Sequence, residues 1–295
     1  MGIRIDSRDD DSVYGVRDVQ IDHVYVSGTS DHGVETYGVD GIKIGVVTAV
    51  DTGYAGVLLN DTINAEVDTV YGFGAGTGTG YAAFRMANRN GNIDDEYSKN
   101  VFVNEVVARG GGRGIFSVSR SGGAVIERVD IKNTGNNAML IENSFSITIN
   151  GGVVEGPSGI RIAARADMPN TRDVLMQDLT IRDSSILESP CGENVFFRNI
   201  TLENSTMDVC QEGEGPGEGE GPGEGEGPGE GEGPGEGEGP GEGEGPGEGE
   251  GASNGDALPQ TATSMFNYLL MGIFLFVFGG ILFIGYRRQH SVKSR

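Results

Sequence analysis

The chain has 295 residues, with 44 acidic and 21 basic side chains and a net charge of −23. This excess excludes a nucleic acid partner, because phosphate backbones are bound by clustered Lys and Arg. It also excludes polyanions held by overall charge, although an acidic sugar can still bind in a locally basic groove.

The first residues, Met1 to Asp6, have no basic start followed by an apolar core, so they are not a secretory signal peptide. The C-terminal features described below nevertheless indicate export. We therefore expect the sequence to begin partway into a longer protein. Upstream coils, with any catalytic residues that they carry, would then precede Met1.

Residues 1–211 contain two series of short strand-like segments. The first recurs mostly every 21 to 27 residues, as in Val19-Gln20-Ile21, Ile42-Lys43-Ile44 and Ile147-Thr148-Ile149. The second interleaves with it, as in Gly33-Val34-Glu35, Gly56-Val57-Leu58, Ala82-Ala83-Phe84 and Gly114-Ile115-Phe116. Units of this length cannot bury an apolar face alone, so they stack on one another. Short alternating strands therefore predict a parallel β-solenoid, with Val, Ile and Leu pointing inward.

The Leu-rich framework of leucine-rich repeats, which share this period, is absent. Over roughly residues 10–210 the pattern resembles the right-handed parallel β-helix family, which includes pectate lyases and polygalacturonases. The resemblance implies an all-β fold with one β-helix domain over residues 1–211. It also implies that the protein acts on or binds extracellular polysaccharide, as a lyase, a hydrolase or a binding protein. A non-catalytic adhesin or structural stalk is the alternative that the same fold allows.

Two departures from the period predict loops. The larger lies between Met86 and Asn100, and the smaller is the Gly-rich bend from Arg109 to Gly114. Loops of this kind can form the wall of a substrate cleft, and an insertion without function is the alternative.

The second series predicts an outward row along one face of the solenoid. Its members are Glu35, Leu58, Phe84, Phe116, Leu140 and Arg161. Phe84 and Phe116, on adjacent coils, are candidates for stacking on sugar rings, and Tyr37 and Arg161 are further substrate-binding candidates. A register shift of one residue would instead turn Phe84 inward and Arg85 outward.

The catalytic candidates are His32, Glu35, Arg85 and Arg120. Glycoside hydrolysis needs two carboxylates about 5 to 9.5 Å apart, and Asp31, Glu35 and Asp40 crowd one short segment around the histidine. The polygalacturonase motifs are not intact, since Asp31-His32-Gly33 matches their histidine motif only in part. Lyases of the family use an Arg or Lys as base with Ca²⁺ held by Asp, so the resemblance allows Ca²⁺ if the protein is a lyase. The sequence itself identifies no cofactor and no metal site, and these charges may be explained equally by solvation of an outer face.

Only two cysteines occur, Cys191 and Cys210, and both lie in the last coils. In an exported protein they predict one disulfide that closes the C-terminal edge of the solenoid. A metal site built from two cysteines without a neighbouring histidine is not expected.

Residues 212–257 form a predicted spacer. A Gly-Glu-Gly-Glu-Gly-Pro hexad repeats from Pro216 to Pro246 and offers no side chain for a core. High glycine content and like charges predict disorder. The forty residues of the repeat would span roughly 35 Å as a coil and about 130 Å when fully extended.

Residues 258–295 begin with Leu258, Pro259, Gln260, Thr261 and Ala262. An uncharged apolar segment follows over residues 265–286, and the chain ends in a basic tail that includes Arg287 and Arg288. The segment is long enough for a helix that crosses a bilayer, and the flanking cations predict that everything before it lies outside the cell.

This order resembles the sorting signal of Gram-positive surface proteins, in which a sortase attacks the Thr carbonyl of Leu-Pro-x-Thr-Gly. Leu258, Pro259 and Thr261 match, and Ala262 replaces the usual Gly. The resemblance implies sortase and peptidoglycan as partners and a location at the cell wall, after transient insertion of the C-terminal helix into the membrane. A single-pass anchor that is never cleaved is the alternative.

Overall fold

The computed structural model describes residues 1–7 and 14–210, and this part is all β apart from turns and loops. The predicted spacer, sorting motif and membrane helix lie outside the described residues. No helix long and apolar enough to cross a bilayer occurs in the described ranges. The strands are β1 Ile3–Asp6, β2 Val16–Ser27, β3 Val34–Val50, β4 Val57–Phe73, β5 Ala82–Ala87, β6 Val101–Arg109, β7 Arg113–Ser117, β8 Gly122–Lys132, β9 Met139–Glu142, β10 Phe145–Ile149, β11 Gly152–Glu155, β12 Ile160–Ala163, β13 Arg172–Gln177, β14 Leu179–Arg182, β15 Ser185–Glu188, β16 Glu193–Arg198, β17 Thr201–Glu203 and β18 Thr206–Asp208.

The strands stack into a parallel β-solenoid of about eight coils, which confirms the predicted architecture. Each coil contributes three sheet faces. In the second coil a single strand, β3, carries all three: residues 34–37 on face C, 39–44 on face A and 46–50 on face B. On face C, Val34 pairs with Ile3 of the preceding coil and with Val57 of the next. The right-handed sense of the coil stays a prediction.

The interior is a stack of apolar side chains from equivalent positions. On face A, Ile42 and Ile44 pair with Ala65 and Val67 of the next coil, and all four are buried. The residue between the two inward ones, Lys43, is exposed. The sequence alternation therefore maps onto inside and outside as predicted, because successive strand residues point to opposite faces.

The corner between faces B and C repeats one backbone conformation in every coil. The residue that follows face B has a positive φ in each case. These residues are Gly28, Asp51, Gly74, Gly110, Asn133, Gly156, Asp183 and Asn204. Gly, Asn and Asp tolerate this left-handed region better than other residues. In the last coils the row is also hydrogen-bonded, since Asn204 donates to Asp183 over 2.6 Å.

The loops leave the solenoid at the two other places expected for insertions. Residues 88–100 separate β5 from β6, as predicted, and a tight Gly-rich turn separates β6 from β7. A third loop, residues 74–81 between β4 and β5, was not predicted. This loop makes its corner longer than the one before it, and it shifts the register of the strand that follows.

The C-terminal coils contain the expected disulfide between Cys191 and Cys210, whose Cα atoms lie 5.7 Å apart. Glu188 holds the same edge together. Its two carboxylate oxygens accept hydrogen bonds from the backbone N–H groups of Gly192 and Cys210, over 2.8 and 3.0 Å. The last coil is therefore fixed by one covalent and two charge-assisted contacts.

Candidate functional site

The outward row of face C differs from the predicted row at one position. Paired residues run from Arg4 through Glu35, Leu58 and Arg85 to Phe116, and then to Leu140 and Arg161. Phe84 was expected to face outward, and that expectation is wrong. Its side chain is fully buried in the core, where it pairs with Val57, because loop 74–81 puts Leu58 and its partner 27 residues apart rather than 26.

His32 lies at the edge of face C and is 7 % exposed. Its Nδ1 accepts a hydrogen bond from the Ala55 backbone N–H over 3.1 Å, which places the ring proton on Nε2. Burial lowers the pKa of His32 to about 4, against the opposing effect of Asp31, whose carboxylate lies 3.8 Å from Nε2. The imidazole is therefore neutral at pH 7, and its Nδ1 lone pair is already used.

Two tyrosines from successive corner loops pack with His32. The His32 ring lies 5.2 Å from that of Tyr54 and 5.8 Å from that of Tyr81, measured between centroids. The two tyrosine rings are 4.9 Å apart. These distances are in the range of favourable aromatic pairs.

Two arginines continue this cluster along the solenoid axis. The Cζ of Arg85 lies 4.1 Å from the centroid of Tyr81 and 5.1 Å from that of Phe116. The Cζ of Arg113 lies 4.7 Å from the Phe116 centroid. Both separations are typical of cation–π contacts. We call His32, Tyr54, Tyr81, Arg85, Phe116 and Arg113 together the aromatic–arginine run.

The two guanidinium groups of the run have no carboxylate within 4.0 Å in the part of the chain that the structure describes. Burial lowers the pKa of both arginines, and at Arg85 Tyr81 and Glu35 oppose that effect. Arg113 also donates to the Gly80 carbonyl of loop 74–81. The run therefore holds two half-buried positive charges without a paired anion.

Glu35, the nearest acidic candidate, already has a partner. Its side chain is buried, and Oε2 lies 3.3 Å from Nε of Arg4. Burial raises the pKa of Glu35, and the charge of Arg4 acts against this. Arg4 in turn donates to Asp6 over 2.8 Å.

The remaining candidates lie outside the run. Tyr37 is two residues beyond Glu35, and burial and the adjacent Asp61 raise its pKa. Arg120 is exposed in the turn after β7, where its carbonyl accepts a hydrogen bond from Tyr97. Arg161 is exposed and continues the outward row two coils beyond Phe116. The structure thus brings together His32, Arg85 and Phe116, with Glu35 beside them.

Tyr54, Tyr81 and Arg113 were not among the candidates. All three precede their strand or begin it, so the strand repeat alone did not single them out. A signal was present, because Tyr54 and Tyr81 are 27 residues apart, which is also the spacing of the paired Leu58 and Arg85.

No protein-family model matches the chain, and no curated protein or solved structure matches it significantly. Among the described residues, no three His, Cys, Asp or Glu side chains are grouped as metal ligands. The assignment of function therefore depends on the geometry of the solenoid surface.

Proposed function

We propose that the solenoid binds an anionic extracellular polysaccharide along face C. The observation that carries this proposal is the pair of half-buried arginines, Arg85 and Arg113, which stack on aromatic rings without a carboxylate partner. A guanidinium group recognises a carboxylate with two parallel hydrogen bonds, and aromatic faces pack against sugar rings. A chain of uronic acid residues combines both features.

The arrangement favours extended ligands over small ones. The run takes its side chains from four successive coils, and equivalent residues on neighbouring coils are about 4.8 Å apart. Its members therefore follow the solenoid axis, as a polymer lying along face C would. Loop 74–81 supports one side of this surface through Tyr81 and through the contact between Gly80 and Arg113.

The contacts support binding rather than cleavage. A general base needs a free lone pair near the proton that it removes, and Nδ1 of His32 is bonded to the backbone. Glu35 is paired with Arg4. Neither candidate is therefore arranged as an unengaged acid or base, which favours the non-catalytic adhesin among the functions that the fold allows. Ca²⁺ enters only if the protein is a lyase.

The binding test is calorimetry of the full chain with galacturonate oligomers, with neutral glucan oligomers as the comparison ligand. We expect the uronate to bind and Arg85→Ala and Arg113→Ala each to weaken that binding about tenfold. Arg128→Ala is the matched control, because Arg128 is exposed on face B and pairs with Glu105. Equal binding by all variants, or no uronate binding at all, contradicts the proposal.

The same samples test for catalysis. Release of reducing ends and absorbance of unsaturated products should stay at background, with and without Ca²⁺. A signal that is lost in Arg85→Ala or Glu35→Gln would replace the binding proposal with an enzymatic one.

We also propose that a sortase links Thr261 to peptidoglycan and so displays the solenoid at the wall of a Gram-positive cell. The support is the order of sorting motif, apolar segment and basic tail in the sequence. The spacer between residues 212 and 257 would carry the solenoid away from the wall. Thr261→Ala should move the protein from the wall fraction to the membrane fraction in a sortase-positive host. An unchanged distribution would favour the uncleaved membrane anchor.

A further inference from the structure

A second surface of the solenoid forms a groove that the proposed function does not use. It lies where face A bends into face B and runs across the first five coils. Its volume is about 400 Å³, and its polar and aromatic side chains are Gln20, Asp22, Lys43, Glu66, Asp68, Phe102, Asn104 and Glu127. We call it the acidic groove. Its volume is in the range of ligand-binding pockets.

One aromatic ring lies open in the middle of the groove. Phe102 is 47 % exposed, and its neighbours on the two adjacent coils are Glu66 and Val125. The ring points outward from face A, so the hydrophobic core does not require it there. An exposed phenyl face among polar groups can pack against the apolar face of a sugar ring.

The carboxylates of the groove are paired mainly with neutral amides. Gln20 donates to Asp22 over 2.9 Å, and Asn104 donates to Asp68 over 3.0 Å. At the far end, Asn150 donates to Glu127 over 2.8 Å. These contacts orient the carboxylates without neutralising their charge, and they leave further acceptor positions open.

Only one carboxylate of the groove has a cationic partner. Lys43 lies 2.9 Å from Glu66. Four acidic and one basic side chain line the groove, so its net charge is −3. Charge of this sign attracts a cationic ligand and repels the uronate proposed for face C.

The floor of the groove is backbone at its N-terminal part. Gly45 lies between Asp22 and Asp68 in the stack of coils. A Cβ at position 45 would lie 2.2 Å from the carbonyl oxygen of Asp22, so a side chain does not fit there. The absence of a side chain at Gly45 leaves a notch between the two carboxylates, within reach of the open ring of Phe102 along the groove.

We propose that the acidic groove binds a cationic amino-sugar chain, that is, an oligosaccharide with free ammonium groups. Phe102 packs against a sugar ring, and the carboxylates of Asp68 and Glu127 receive ammonium groups of neighbouring sugars. The amides of Gln20 and Asn104 hydrogen-bond to hydroxyl groups. The protein would then hold two glycans of opposite charge on two different faces.

The test uses the full chain and a hexamer of glucosamine, with the N-acetylated hexamer and spermine as comparison ligands. We expect the glucosamine hexamer to bind and its affinity to fall as salt is raised. The uncharged N-acetylated hexamer should bind at least about tenfold more weakly. Spermine, which has the charge but no sugar ring, should also bind more weakly than the glucosamine hexamer.

Two groove variants locate the binding. Phe102→Ala and the double variant Asp68→Asn/Glu127→Gln should each reduce affinity for the glucosamine hexamer about tenfold. Tyr25→Ala, at a 71 % exposed aromatic residue on face B, and Asp94→Asn, at an exposed acid in loop 88–100, are the controls and should bind as the parent protein does.

The Glu-rich repeat after residue 211 attracts any polycation, and it is unchanged in all these variants. Binding that is the same in the groove variants and the controls would therefore come from diffuse attraction and would overturn the proposal. So would equal affinity for spermine, or no binding at millimolar ligand. Uronate binding by the groove variants should equal that of the parent, which keeps this test separate from the test of face C.

Discussion

The aromatic–arginine run and the acidic groove are made from outward positions of the same solenoid, yet they differ in charge and in packing. In the run, the rings and cations pack on one another, and His32 is 7 % exposed. In the groove, the ring of Phe102 stands open and the carboxylates contact neutral amides. One surface holds unpaired positive charge, and the other holds unneutralised negative charge.

The difference shows that the fold restricts the inward rows and leaves the outward rows free. Equivalent inward positions are buried and apolar in successive coils, as with Ile42 and Ala65. The paired outward positions beside them are Lys43 and Glu66, which have opposite charges. A solenoid can therefore present unlike surfaces on different faces without a change in its core. It also explains how residues 1–211, with 29 acidic and 17 basic side chains, include a locally basic surface.

The largest expected effect concerns the burial of His32. Its folded pKa, about 4, lies below the ordinary value of 6.5, so between these values the unfolded chain binds a proton that the folded one does not. Stability is therefore lost as the pH falls from about 6.5 to 4, by on the order of 3 kcal/mol. Burial raises the pKa of Glu35, which contributes in the opposite direction in acid.

His32→Asn should make this pH dependence shallower, because Asn keeps an acceptor for the Ala55 N–H and cannot take up a proton. Denaturant unfolding at pH 6.5 and pH 4 measures the change. His23→Asn is the control, since His23 is exposed on face B. If both variants keep the slope of the parent, the buried histidine does not set the pH response of the run.

A smaller effect is expected at the floor of the acidic groove. Gly45→Ala places a Cβ 2.2 Å from the Asp22 carbonyl oxygen, so adjacent coils must separate. The cost should be about 2 kcal/mol, seen as a lower melting temperature. Glucosamine hexamer binding should weaken, and uronate binding below the melting transition should not change.

The control for this prediction is Gly151→Ala, farther along the solenoid at the same bend. There the nearest atom to the added Cβ would be the Asp178 carbonyl oxygen at 3.4 Å, an ordinary contact. Its melting temperature should stay close to that of the parent. Equal melting temperatures for the two variants would show that Gly45 is not required by close packing.

The coils could be predicted from the sequence because inward apolar residues recur at nearly constant spacing, as Ile42, Ile126 and Ile147 do. Face C was predicted one residue out of register at Phe84, because loop 74–81 lengthens one corner and nothing in its Gly-Thr composition marks where the next strand starts. Tyr81 was missed for the same reason, since a residue at the end of a loop has no place in the strand alternation.

The acidic groove could not be predicted from the repeat. Glu66 and Phe102 are neighbours in space but are 36 residues apart, because loop 88–100 and strand β5 lie between them. Periodicity assigns residues to the outside of a sheet. It does not show that two faces meet in a concave bend.

The smallest expected effect tests whether face C needs the shape of its cations as well as their charge. Arg85→Lys keeps a positive charge but replaces a planar group that lies on Tyr81 and Phe116 with a compact ammonium group. Uronate binding should weaken about fivefold, less than in Arg85→Ala, and glucosamine hexamer binding should not change. Arg128→Lys, on face B, is the control for the substitution itself. If Arg85→Lys binds uronate as well as the parent does, a point charge is sufficient, and the rings of the run serve to hold that charge in place rather than to align a planar group with a carboxylate.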